Sequence, residues 1–227
     1  MLLFGWTVNG GGKEMKRLFD PESPFWQAVA RCADLVIINL LTIAFSLPLI
    51  TVGAAFTALN DCCWRLYDEQ GGSVVRMYWR SFKDNCVPST VLWFIAAVPL
   101  AVLAWVWIYV DASELVVLKA LLSICYLTVF PYLWMVQARF ENSVGNTVKN
   151  AVLMSVARLP YSLGIMLLYV GMGVLIALVT WQLPQALPPL VLLGVALPAY
   201  GSIPLFIRSL APWLMQESDH NSEPSPR

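Results

Sequence analysis

The chain has 227 residues, 59% of them hydrophobic and 12% charged, with a mean hydropathy of +0.68, whereas a water-soluble globule is about 45–50% apolar. Its 14 basic and 14 acidic side chains cancel, and no basic aromatic patch is present, so nucleic acid is not expected as a partner. This is the composition of an integral, all-α membrane protein whose first partner is the lipid bilayer.

Residues 1–24 read as an amino-terminal cytoplasmic segment. They contain no small-residue cleavage site and so do not read as a signal peptide. Gly10 to Gly12 have codons that begin GG, a purine-rich stretch suited to a ribosome-binding site just upstream of Met15, so translation is expected to start at Met15.

From Phe25 to Leu66 only Arg31, Asp34, Asp61 and Arg65 are charged, all near the ends of the interval. One helix of that length would measure roughly 60 Å, about twice what a bilayer covers. The stretch SLPLITVG, Ser46 to Gly53, marks the break. Pro48 removes a backbone donor and pushes Leu47 out of the helical region. Gly53, Ala54 and Ala55 offer a small-residue surface on which helices can approach closely. The expectation is a Pro/Gly-broken hairpin; the alternative is one kinked helix with an amphipathic extension.

Four more segments have the ~20 apolar residues of a span: Pro88 to Val110, Leu115 to Gln137, Leu159 to Trp181 and Leu187 to Ile207. The expected fold is therefore a single transmembrane helical domain over residues 25–207 with about six transmembrane helices. The polar tail, residues 208–227, is expected to be disordered. With six crossings, 13 of the 14 basic residues fall on one side, and Lys119 alone lies opposite, beside Asp111 and Glu114. The positive-inside rule places both termini in the cytoplasm. A five-helix arrangement would put Lys13, Lys16 and Arg17 outside.

Two cytoplasmic segments read as amphipathic helices. Val74, Val75, Tyr78, Trp79 and Phe82 recur at helical spacing, with Arg76, Arg80 and Lys83 between them. In residues 143–157, Val144, Val148, Val152 and Val156 form one stripe beside Ala151 and Ser155. Both are expected to lie on lipid or to dock a partner. The candidate interaction residues are Tyr78, Trp79, Arg80, Phe82, Lys83, Glu141, Lys149 and Arg158.

Polar residues inside the bilayer are costly and pair or line a pathway. The candidates are Arg31, Asp34, Asn39, Asn60, Asp61 and Arg65. In an antiparallel hairpin the first two are level with the last two, and Arg31 with Asp34 and Asp61 with Arg65 are also spaced as helical pairs. The cluster reads either as a charged vestibule or as a salt-bridge lock on the hairpin.

The run RLFDPESPFWQ, then DLVIINLLTIAFSLPLITVGAAFTAL, YWRSFKDN, RFENSVGNTVKNAV and ARLP resembles the YesL-like family of bacterial membrane proteins over about Arg17 to Ile207. The resemblance implies a small multi-helix membrane protein, of no assigned biochemical activity, often encoded beside carbohydrate-uptake transporters. A sugar importer of the ATP-driven class, or its regulators, is the partner it implies. It carries over no catalytic or binding residue.

The residue inventory points away from an enzyme. No phosphate loop of the G-x-x-x-x-G-K type is present. His220 stands alone in the polar tail, and Cys32, Cys62, Cys63, Cys86 and Cys125 form no C-x-x-C pair, so neither metal nor cofactor is expected. Glu141, Gly145, Leu159 and Pro160 follow the order of the coupling loop of permease subunits, with both spacings altered. The leading expectation is a non-enzymatic accessory or regulatory protein of carbohydrate uptake. The alternative is a permease-like subunit with a substrate path near Asp34 and Asp61, opened by Pro99, Pro131, Pro198 and Pro204.

Overall fold

A computed structural model describes residues 24–111, 113–140 and 142–222. The expected start at Met15 and residues 223–227 of the tail lie outside the described residues. Every described element is helical: α1 (Pro24–Ser46), α2 (Val52–Tyr67), α3 (Val74–Asp84), α4 (Cys86–Tyr109), α5 (Val116–Arg139), α6 (Val144–Ala157), α7 (Leu159–Gln182), α8 (Leu187–Leu193) and α9 (Ala196–Ser222). Short 3-10 turns precede α5 and α8.

The chain breaks where Pro48 predicts. Helix α1 ends at Ser46 and α2 begins at Val52. The turn between them closes on itself: the Thr51 amide donates to the Pro48 carbonyl at 2.9 Å, and the Thr51 hydroxyl donates to the carbonyls of Phe45 at 2.6 Å and Pro48 at 2.9 Å. The turn into α3 needs a left-handed backbone at Gly72, φ 147°, a conformation that glycine adopts without strain.

Five segments are long and apolar enough to cross a membrane: Phe25–Ser46, Cys86–Tyr109, Ser113–Arg139, Leu159–Gln182 and Leu190–Leu210. Helix α2 is not among them. Its 16 residues rise only about 24 Å. It packs against α1, α3, α4, α5 and α9, and Val52 to Ala55, Thr57 to Leu59 and Cys62 to Cys63 are buried along it. A helix enclosed by protein need not be apolar throughout, which is why α2 accommodates Thr57, Asn60 and Asp61 where a lipid-facing span would not. By contrast, the outward faces of α4 and α7 are leucine, valine and aromatic residues, the surface a bilayer solvates.

Two further expectations change. The segment expected from Leu187 to Ile207 is two helices, broken after Leu193. Helix α9 continues to Ser222, beyond the boundary expected at residue 208, because polar residues do not by themselves end a helix.

Small residues set the closest helix approach. A Cβ on Gly53 would lie 2.2 Å from the Ser89 carbonyl oxygen and 2.8 Å from the Trp93 Cβ, so only glycine admits α4 there. The adjacent hydroxyls of Thr57 and Ser89 hydrogen-bond at 2.8 Å. Aromatic rings then bridge the helices: Phe56 and Trp93 pack on Trp134, and Trp64 and Tyr132 meet Phe206 edge-on.

Candidate functional site

The six polar candidates do not form one cluster. Arg31 reaches across to Glu69 at 2.5 Å and forms no ion pair with Asp34. Together with Gly71 and Met77 they line a cavity of about 500 Å³ at the open end of the hairpin. No described residue pairs with the Asp34 carboxylate. Asn60 is nearly buried and donates to the carbonyl of Phe56 in its own helix at 2.8 Å. Asp61 and Arg65 do pair as their spacing predicts: Arg65 Nε lies 3.1 Å from each oxygen of the buried carboxylate.

Asn39 does something sequence reasoning did not find. It is fully buried in α1, and its amide Nδ2 donates to the Val191 carbonyl at 2.6 Å, while its Oδ1 accepts from the amides of Val195 and Ala196, each at 3.0 Å. These are backbone groups that the break between α8 and α9 leaves without helical partners. One side chain therefore caps both broken ends. The run G-V-A-L-P at 194–198 was the only local signal of a break there.

The second cavity is larger and more polar. It measures about 700 Å³ and lies between the C-terminal half of α2, α3, the first turn of α4 and the end of α5. Arg65, Arg76, Arg80 and Arg139 line it, with Asp61, Asp84, Asn85, Gln137 and Asn142. Asp61 is committed to Arg65, and Asp84 lies 3.7 Å from Arg80 in an exposed pair. Arg76 and Arg139 have no carboxylate partner among the described residues. The Arg139 guanidinium sits 4.5 Å from the centre of the Trp64 ring, a contact that orients it without neutralising it. Ser81, only 4% exposed, also belongs to this lining, and its buried hydroxyl has no hydrogen-bond partner among the described residues. In the sequence Arg76 reads only as part of the basic face of its helix, and neither it nor Arg139 stands out as a site candidate, because they lie on separate elements that only folding brings together.

The amphipathic helices are turned differently from the expectation. Of the stripe on α3, Val74, Tyr78 and Phe82 are buried against the hairpin, and only Val75 and Trp79 face outward. Phe45 packs on Tyr78, Trp79 and Phe82, and the Tyr78 hydroxyl donates to the Ala55 carbonyl at 3.2 Å. Burial pushes the Tyr78 phenol well above its ordinary range, so it stays protonated and remains a donor. Arg80 is exposed, and Lys83 lies 4.7 Å from the Trp79 ring centre. On α6 the buried stripe is Thr147, Ala151 and Ser155, and the valines at 152 and 156 face out. Small residues let α6 lie close to α5, where the Thr147 hydroxyl donates to Gln137 Oε1 at 3.1 Å. Lys149 is exposed, and Arg158 lies 5.9 Å from the Tyr161 ring centre. Glu141 lies outside the described residues. All five cysteines are free thiols.

Residues 35–112 match the family model described as a protein of unknown function, DUF624. The matched stretch runs from the body of α1 to the end of α4. It contains Asn39, Gly53 and the Asp61, Arg65, Arg76, Arg80 and Asp84 part of the cavity, while Gln137, Arg139 and Asn142 come from outside it. No curated protein and no solved structure matches the chain.

Proposed function

We propose that the chain is a bacterial inner-membrane protein with both ends in the cytoplasm, which acts by binding rather than catalysis as an accessory or regulatory component of carbohydrate uptake. The observation that supports this best is the arginine-lined cavity. Its volume of about 700 Å³ suits a small ligand or an inserted side chain. Its groups are suited to binding: guanidiniums and amides are hydrogen-bond donors rather than general bases, and the carboxylates of Asp61 and Asp84 are paired with Arg65 and Arg80. Charge supports this sidedness. Arg65, Arg76, Arg80, Lys83, Arg139, Lys149 and Arg158 lie on the helices and connections at one end of the spans, and Lys119 at the other is tied to the Val110 carbonyl and the Trp107 ring. The carbohydrate part of the reading rests on the YesL-like resemblance.

The permease alternative has one feature in its favour, the helix broken between Leu193 and Ala196, a device that transporters use at substrate sites. Here Asn39 occupies the groups that a substrate would need, and Asp34 and Asp61 line separate cavities. Binding is therefore the stronger reading.

Deleting the gene is expected to lower uptake of at least one labelled carbohydrate, with recovery on re-expression of the wild-type chain. Liposomes holding this chain alone should accumulate no sugar. Accumulation by such liposomes would favour the permease, and unchanged uptake of every sugar after deletion would remove the link to carbohydrate.

A further inference from the structure

We propose that the arginine-lined cavity is a site for a phosphate-bearing anion, held by Arg76 and Arg139. The proposal names a ligand class for the cavity described above and rests on that cavity being the working face. Four guanidiniums face two carboxylates, and both carboxylates are already paired within the protein. That leaves two cations without counter-charge from any described residue around a polar space. Asn142 lies beside them, as does Asn85, one of whose amide protons is donated to the Ser81 carbonyl at 3.0 Å, leaving the other free. Planar guanidinium groups match phosphate oxygens in geometry as well as charge. The cavity also lies where α4 begins and α5 ends, at one boundary of the spans, so a lipid phosphate and a soluble one could both reach it.

The test uses the purified full-length chain in an uncharged detergent, with thermal unfolding followed as inorganic phosphate or short-chain phosphatidylglycerol is titrated. Stabilisation by phosphatidylglycerol alone assigns the site to lipid. Stabilisation by inorganic phosphate, with or without the lipid, assigns it to the phosphate group itself. In either case Arg76→Gln and Arg139→Gln should each weaken the apparent affinity about tenfold, the loss of one charge-assisted contact. Arg208→Gln, which removes an exposed arginine outside the cavity, should leave it unchanged. Arg76→Gln breaks no contact to an aromatic ring, so it remains informative if Arg139→Gln fails to fold. No stabilisation of the wild type by either probe, or an equal loss with Arg208→Gln, would overturn the site. Because the assay involves no uptake, its failure is separable from failure of the carbohydrate reading.

A different set of contacts carries a second inference: the geometry points to an α1–α2 hairpin that enters the membrane and turns back within it. Beyond Asp34, α1 has twelve uncharged residues, Leu35 to Ser46, and before Asp61, α2 has nine, Val52 to Asn60. These arms rise about 18 and 13 Å, well short of the ~30 Å of hydrocarbon. The start of α2 meets the first turns of α4 through Gly53 and the Thr57–Ser89 hydrogen bond. From Ser89, α4 still has 20 residues to run to Tyr109, about 30 Å. The hairpin tip therefore lies near the face at which α4 enters. Beside it stands α3, which carries Arg76, Arg80 and Lys83, and whose Phe82 ring is 4.8 Å from that of Phe45. The tip is apolar, with Leu47, Leu49 and Ile50 exposed, and Thr51 ties its turn back to the carbonyls of Phe45 and Pro48. Sidedness is unaffected, because a hairpin that crosses twice and one that turns back leave both termini on the same side. The spans that remain are α4, α5, α7 and the α8–α9 pair.

Cysteines placed one at a time at Leu49 and Asp111, in a chain whose exposed Cys32 and Cys125 and half-buried Cys86 are replaced, decide the matter in intact cells. An impermeant maleimide should label Asp111→Cys and spare Leu49→Cys. Labelling of Leu49→Cys from outside would show that the hairpin crosses, because the protein itself leaves this position open.

Discussion

Asn39→Leu is expected to destabilise the folded protein by about 3 kcal/mol or more, from three buried backbone groups that each cost about 1–3 kcal/mol when unpaired. The substitution nearly conserves volume, so little of the loss should come from a cavity. What it removes is the donor to the Val191 carbonyl and the acceptor for the amides of Val195 and Ala196. Asn39→Asp separates the two halves: the carboxylate still accepts from both amides but cannot donate to Val191, and an acidic group is introduced at a fully buried position. It too should destabilise, and only at low pH, where a protonated carboxyl can donate, should part of the loss be recovered. The midpoint of thermal unfolding in detergent reads both. A leucine variant as stable as the wild type would mean that the α8–α9 break is capped by something other than Asn39.

Gly53→Ala is expected to abolish the native packing of α2 on α4. Two effects oppose each other. Alanine in place of glycine within a helix stabilises by about 1 kcal/mol, whereas overpacking a close contact costs about 1–3 kcal/mol. The atoms met here decide between them, because the nearest is a backbone oxygen at 2.2 Å that cannot rotate away. The collision wins, and α4 must shift with the loss of the Thr57–Ser89 hydrogen bond. Gly171→Ala, which meets nothing within 4 Å, provides the control and should be neutral or slightly stabilising. The yield of monodisperse protein after gel filtration reports the outcome. Equal yields from Gly53→Ala and Gly171→Ala would show that the helices are not in contact at this point.

How far the sequence reached can be judged from individual residues. Pro48, with Leu47 before it, locates the hairpin break correctly because proline acts on the backbone of its own neighbourhood. Asp61 and Arg65 pair as expected because four residues are one helical turn. Arg31 and Asp34 have nearly the same spacing, yet Arg31 turns to Glu69, 38 residues away, since the loop before α3 folds back beneath the hairpin. The stripe on α3 was legible as amphipathic, but its covering was not: period reveals which residues share a face and leaves open whether lipid or protein lies opposite.

The sequence by itself determined that this chain is apolar enough to live in lipid and where most of its hydrocarbon-length segments lie. These are properties of residue type counted along the chain, and they hold whatever the packing. Only the tertiary structure decided that α2 is a core helix, that Asn39 caps a break 152 residues away, and that arginines from α2, α3 and α5 surround one cavity. Each depends on which helices are neighbours, and that choice is made by close approach at residues such as Gly53, whose effect no local pattern records.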